Sequence, residues 1–451
     1  MSTESNRRAF LAALAASGAT IIGGTRLFAT EGTPAADDHD HDHDHEHDHD
    51  HDHEHEGEGA FLLVGDAEAK TLTVYNAEDY SVIEVIDNVV VNSHAGTITL
   101  ADGSVLLADD EGQRLLHIEV HGDHLHIHDA HTPGVIAHIA IESDHAHYCA
   151  VGTSGDDEHQ LHLVNLESWE VTSLALEGAA EVGLMMTHDY FFHRNSGLNR
   201  LEAYNLSDLA SGNVELLSFA DIGTFGHGEA INEETGELFV LTDYGVDIAY
   251  WDETELTYGK TLPWPEAEPA SRGYFCRLIN DGSHLLTYTS DRSAPETEWN
   301  TWINNLVIYD VATEEAIVTN LPDGYTFRYA LANGTAIFTV IGGEGDQMVT
   351  VDVDPDQDTF GQIVATTPLT SMTGGAAVGD AFYETGAYRS LAIMPDASAA
   401  FVSQGGDSVI EVLDPLHGEA TGTIDHSSPL TGGGTLAVFG PSVPFTDTIG
   451  R

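Results

Sequence analysis

Residues 98–109 read ITLADGSVLLAD, and residues 114–120 continue with RLLHIEV. An apolar run breaks at an Asp-Gly turn, resumes as a Leu-rich run ending in aspartate, turns again and continues as a third run. Short apolar runs bounded by Gly and Asp read as antiparallel strands joined by tight turns. The same phrase recurs at 231–242 around Glu-Glu-Thr-Gly, at 278–289 around Asn-Asp-Gly, at 330–340 around Ala-Asn-Gly and at 391–403 around Pro-Asp-Ala. Each is followed by a further strand, at 246–251, 305–310, 348–353 and 408–414. No long helical periodicity competes with this pattern.

Units begin near residues 60, 90, 134, 180, 224, 271, 325 and 385. A spacing of roughly 40–50 residues is the period of a four-stranded propeller blade. The first unit, from 60 to 86, lacks one strand, and 433–439 at the other end can supply it. That exchange closes the ring and leaves no open sheet edge. The expected fold is therefore all-β: a β-propeller over 60–440 with eight blades, or seven if one unit is misread, and a tail over 441–451. An array of β-sandwiches is the alternative, but a single continuous period favours the closed ring.

Charge narrows the partners. Lys+Arg number 14 and Asp+Glu 75, a formal net charge of −61. Such a chain repels phosphate backbones and anionic lipid surfaces, so nucleic acid is excluded as a partner and cations are favoured. Self-repulsion on this scale suits a salt-rich setting, where screening is strong, and points to a halophilic source. Residues 1–36 carry Arg7-Arg8 ahead of a mildly apolar Ala/Gly-rich run, the pattern of a twin-arginine export signal. No cysteine stands at 25–36 to carry a lipid anchor, and no stretch reaches a membrane-spanning length. The expectation is an exported, extracytoplasmic protein without an integral membrane segment.

Residues 37–59 form a His/Asp/Glu-rich segment in which nine histidines, at every odd position from His39 to His55, alternate with carboxylates. It cannot build a core and is expected to be disordered; imidazole with carboxylate suits zinc, copper or nickel capture. Two cysteines cannot make a disulfide framework, and Cys149 and Cys276 fall on strands of non-adjacent blades as small buried hydrophobes.

Eighteen histidines lie outside that comb. Aligned on the blade turns, His94 and His227 occupy equivalent places at the start of an innermost strand, and His138 falls within about two residues of it. Glu181, Tyr274, Arg328, Tyr388 and Arg389 stand nearby in other blades. Three imidazoles facing one channel could hold zinc, with water or Glu181 as fourth ligand. Alternatively, each caps its own strand. A second cluster is local: in the hairpin 121–129, His124, His126 and His128 share one strand face, and His117 on the preceding strand can oppose them. His121 and His124 flank the Gly122-Asp123 turn and could chelate one ion with Asp123 as oxygen donor; an exposed polar face is the alternative. This hairpin belongs toward the rim, apart from the channel set. No nucleophile elbow, P-loop or dinucleotide fingerprint appears in a fitting context.

These features together resemble the AztD family of zinc metallochaperones. The resemblance rests on His121-Gly122-Asp123-His124 in an early blade and on Gly226-His227-Gly228-Glu229-Ala230 opening a middle blade. His138 after a short apolar run and the His/acid-rich segment before the propeller also match. It departs in its widely spaced cysteines and in lacking a double-histidine motif before His227, where only His188 and His193 stand near. The resemblance implies an exported β-propeller that binds Zn2+ as cargo through His94, His121, His124, His138 and His227. It also implies a partner, the substrate-binding protein of an ABC zinc importer, and a chain that is not an enzyme. A propeller with a metal-assisted hydrolytic site, or a surface interaction propeller, are the rival readings.

Overall fold

Strand runs that are apolar on both faces must be covered on both faces, and a ring of sheets standing side by side provides that cover. The computed structural model describes residues 59–449 apart from 92–94, 123, 142–145, 155–158, 178–181, 225–227, 266–271, 386 and 444–445. The export signal and the histidine comb lie outside the described residues.

Eight antiparallel sheets form the blades, each built mainly from consecutive strands. The expected closure is present. Thr435–Phe439 joins Phe61–Asp66, with Phe61 opposite Phe439 and Gly65 opposite Thr435, so blade 1 takes one strand from the far end of the chain. Blade 2 gains a fifth strand, Thr446–Ile449, beside Thr97–Thr99. In blade 6 the inner position is split between Arg272–Gly273 and Arg277–Ile279, both paired with His284–Asp291.

The core is divided into interfaces. Eight clusters of buried side chains each draw on two neighbouring blades, and the last joins blade 8 to blade 1. Along Phe61–Asp66 the alternation is direct. Leu63 packs toward Leu107 and Ile118 of blade 2, while Leu62 packs toward Phe401 and Val412 of blade 8. Outer strands lose this cover. Phe61–Asp66 is buried throughout, whereas Glu419–Asp425 exposes every residue but one. A ninth, aromatic cluster of Trp299, Trp302, Tyr325 and Phe382 caps blades 6 to 8 and is built largely from the loops that follow His284–Asp291 and Ile363–Pro368.

The closing junction is also pinned by polar contacts. Asp66 Oδ2 accepts from Ser428 Oγ at 2.6 Å and Leu430 N–H at 2.8 Å, and Tyr75 Oη meets His426 Nδ1 at 2.7 Å. Cys149 and Cys276 are both buried, in blades 3 and 6, as the sequence implied.

Burying a leucine between two blades stabilises the ring by about 1.5–3 kcal/mol in transfer terms, and the cavity left by truncation adds to the loss. Leu63→Ala, at a fully buried position, should cost about 2–5 kcal/mol in urea unfolding. Val85→Ala on the exposed rim of the same blade should stay within about 0.5 kcal/mol of the parent.

His162 gives a pH prediction. Its Nε2–H donates to the Pro133 carbonyl at 3.0 Å and its Nδ1 accepts from Ser173 Oγ at 2.8 Å, which fixes the neutral tautomer. Burial pushes its pKa below the ordinary 6.5. The unfolded chain therefore binds the proton first, so the contribution of His162 is complete above pH 6.5 and is lost as pH falls below it. The urea midpoint should drop between pH 7.5 and about pH 5.5, and His162→Gln should flatten that drop; an unchanged slope would refute the assignment.

Candidate metal centre

Two strands of blade 2, Arg114–His121 and His124–His131, run antiparallel from a two-residue turn in which Gly122 takes φ 64°. That left-handed value suits glycine, and a Cβ there would otherwise meet open space. Pairing counts outward from the turn: His121 faces His124, Glu119 faces His126, and His117 faces His128. Because side chains alternate, these six fall on one face of the hairpin. The opposite face turns toward blade 1, where Val120 and Leu125 pack and the Leu125 N–H donates to Glu84 Oε2 at 3.0 Å.

The polar face divides into an inner and an outer half. At the inner end His117 and His128 stack on Trp169 of blade 3, with ring centroids at 5.3 and 5.1 Å. His117 is buried, and its Nε2 meets Ser104 Oγ at 2.6 Å. At the outer end Glu119 Oε2 lies 2.9 Å from His121 Nε2 and 3.7 Å from His126 Nδ1. Burial by itself would raise the Glu119 carboxyl. The hydrogen bond with His121 and the neighbouring His117, His121 and His126 imidazoles outweigh it, and the pKa falls below the ordinary carboxylate value. Glu119 is thus an anion at neutral pH.

Glu119, His121 and His126 each bring one ligand atom, all within 4.8 Å of one another. Two imidazole nitrogens and one carboxylate oxygen match the donor set of a three-ligand zinc site that leaves a fourth position open. The two imidazoles are each 55% exposed, so that position faces solvent.

Of the residues expected from sequence, His121 enters this group. His124 lies beside it, its ring stacked on that of His121 at 6.1 Å, but it is not among the converging donors. Asp123, expected as the oxygen donor, lies outside the described residues. Glu119 supplies a carboxylate instead; its signal was available, since it stands three residues before the turn and His126 three after it. His138 sits buried on Val135–Ile141, the strand of blade 3 on the channel side, beside a register break between Ile136 and His138. It is on the inner strand of the adjoining blade and is not among the converging donors. His94, His227 and Glu181 lie outside the described residues.

The neighbours of His227 carry packing roles. A Cβ on Gly228 would meet the Cys276 nitrogen at 2.7 Å, so blade 6 needs glycine there. Glu229 is buried in an ion pair with Arg194.

No protein-family model matches the sequence, and no curated protein matches it either. Solved structures do. In fold the chain is similar to AztD. The apo AztD structure from Citrobacter koseri aligns with a TM-score of 0.60 over 85% of this chain and 99% of that one, at 12% identity. A second Citrobacter koseri AztD crystal structure gives 0.59 over the same shares, at 13% identity. Dihydro-heme d1 dehydrogenase NirN, in complex with DHE, aligns with a TM-score of 0.57 over 85% of this chain and 75% of that one, at 13% identity.

The expectation that the chain is not an enzyme is corrected by the last of these. A dehydrogenase shares the fold nearly as well as AztD does, and a scaffold hosts binding or catalysis according to the side chains grafted on it. The fold is thus one that serves a dehydrogenase as well as AztD. No helix among the described residues is long and apolar enough to cross a membrane.

If Glu119, His121 and His126 act together, Glu119→Gln and His126→Ala should each weaken Zn2+ binding by at least about 10–100-fold, since even outer partners of a ligand are worth that much. His131→Ala, on the same hairpin but outside the group, should not. Competition with a chromophoric chelator reads the difference, in a chain whose 37–56 comb has been deleted so that the hairpin alone is observed.

Proposed function

We propose that this chain is an exported zinc-binding metallochaperone, which captures Zn2+ and delivers it to the substrate-binding protein of an ABC zinc importer. The observation that carries this reading is the rim group Glu119–His121–His126, a three-donor set with its remaining position open to solvent. A cargo site differs from a structural zinc site in that respect. An incoming ligand can bind the open position before any protein ligand leaves, so the ion stays coordinated throughout exchange.

Other features support the reading. The comb at 37–56 offers many weak ligands that concentrate the ion near the folded site. Arg7-Arg8 fits export, and the acidic surface draws cations toward the ring. His124 adjoins the rim group, ready to serve as a relay ligand. His94, His138 and His227 are proposed as a second zinc position at the channel mouth.

Zinc-loaded protein should transfer its ion to the zinc-binding component of a neighbouring importer faster than it releases the ion to a dilute chelator. Glu119→Gln should abolish that advantage, and a His94/His138/His227 triple alanine variant should lower the zinc stoichiometry while leaving the rim site loaded. Transfer no faster than free dissociation would sink the chaperone reading.

A further inference from the structure

Cations are scarce in this chain, and six of them are matched to carboxylates. Lys70 pairs with Glu111, Arg114 with Asp109, Arg194 with Glu229, Arg200 with Glu202, Lys260 with Glu314 and Arg389 with Asp346. Arg292 is placed differently from these six. It follows His284–Asp291 in blade 6 and makes no ion pair among the described residues. Its Nη1 donates to Tyr383 Oη at 2.8 Å, Nη2 to the Thr326 carbonyl at 3.1 Å and Nε to Ser290 Oγ at 3.2 Å. The Tyr274 ring covers the guanidinium at 4.3 Å, with Tyr325 and Trp302 at 5.2 and 5.3 Å.

A guanidinium has five N–H donors, and three are accounted for. Two remain, one on each terminal nitrogen, and a carboxylate has two oxygens to accept them. The surroundings add more donors. Tyr383 accepts from Arg292, and its own O–H meets no acceptor; the hydroxyls of Tyr274 and Tyr388 likewise have no acceptor among the described residues. Arg292, Tyr274, Tyr383 and Tyr388 all keep partial solvent access although burial raises the Tyr383 and Tyr388 hydroxyls, the latter to about 12. Those two phenols are therefore neutral donors at any physiological pH.

The fold explains why these groups gather. Inner strands are irregular in three consecutive blades: split between Gly273 and Arg277 in blade 6, shifted in register between Thr326 and Tyr329 in blade 7, and begun only at Leu391 in blade 8. Tyr274 and Tyr388 lie in these irregular stretches, and the segment that carries Phe382 brings Tyr383 to Arg292.

We propose that Arg292, with the hydroxyls of Tyr274, Tyr383 and Tyr388, forms a binding site for a small organic carboxylate with a flat apolar body. The carboxylate takes the two remaining guanidinium N–H groups and the phenol protons, and the flat body lies against the aromatic walls. A half-buried cation with no carboxylate partner among the described residues favours an anion, and the ligand supplies that charge. The site stands in blades 6 to 8, independent of the metal donors in blade 2.

The probe is benzoate, titrated calorimetrically into the full-length protein, with benzyl alcohol and inorganic phosphate as controls. Benzoate should bind saturably, and benzyl alcohol at least about 10-fold more weakly, the scale of a charge-assisted hydrogen-bonded pair. Arg292→Gln should abolish benzoate binding. Because that change also removes three hydrogen bonds, Tyr274→Phe/Tyr388→Phe, which keeps both rings and the guanidinium, should by itself weaken benzoate several-fold. Zinc affinity of the same variants should stay unchanged. Absence of benzoate binding, equal binding of benzyl alcohol, preference for phosphate over benzoate, or benzoate binding indifferent to the tyrosine pair would each overturn the proposal.

Discussion

The structure depends on a single requirement: the inner strands of each blade are apolar on both faces, so neither face can be left to water. Leu62 and Leu63 are adjacent in sequence yet belong to different interfaces, one toward blade 8 and the other toward blade 2. No blade owns its core. Each buries half of itself against the blade before and half against the blade after, and only a closed ring satisfies every member. This is why the exchange of Thr435–Phe439 into blade 1 matters beyond its own hydrogen bonds. Without it, the blade 8 to blade 1 cluster loses Leu436 and Val438.

The same requirement decides where chemistry can be placed. Cover falls away from the channel outward, so an outer hairpin can afford a polar face. Arg114–His121 and His124–His131 use that freedom: one face packs toward blade 1 through Val120 and Leu125, and the other carries five histidines and Glu119. Trp169 closes the inner end of that face by stacking on His117 and His128. The outer end stays open, and there the three donors converge.

Much of the architecture was legible because it is repetitive. Turn glycines and alternating runs marked the blades, and the strand missing from the first unit predicted the closing strand. The site was legible only in part. Counting from the Gly122 turn brings His121 opposite His124, but metal geometry depends on reach as well as register, and Glu119 with its longer side chain bridges two imidazoles. The channel residues Tyr274 and Tyr388 were placed near the mouth, yet their relation to Arg292 was not visible. That relation depends on a loop between strands of blade 6 and on the segment that carries Phe382 and Tyr383, where no periodicity guides the reading. The exclusion of enzymatic activity failed for a different reason: a fold does not carry that information.

The pairing of Phe61–Asp66 with Thr435–Phe439 has a consequence for biosynthesis. Closing a loop of this length costs little more entropy than closing one of half the size, since the cost grows only with the logarithm of length. Timing is what differs. While the chain is being made, Phe61–Asp66 presents an unpaired apolar edge until Thr435–Phe439 has left the ribosome, and such edges are templates for aggregation. The dense negative charge that repels anionic partners from the finished ring also keeps these unfinished rings apart from one another.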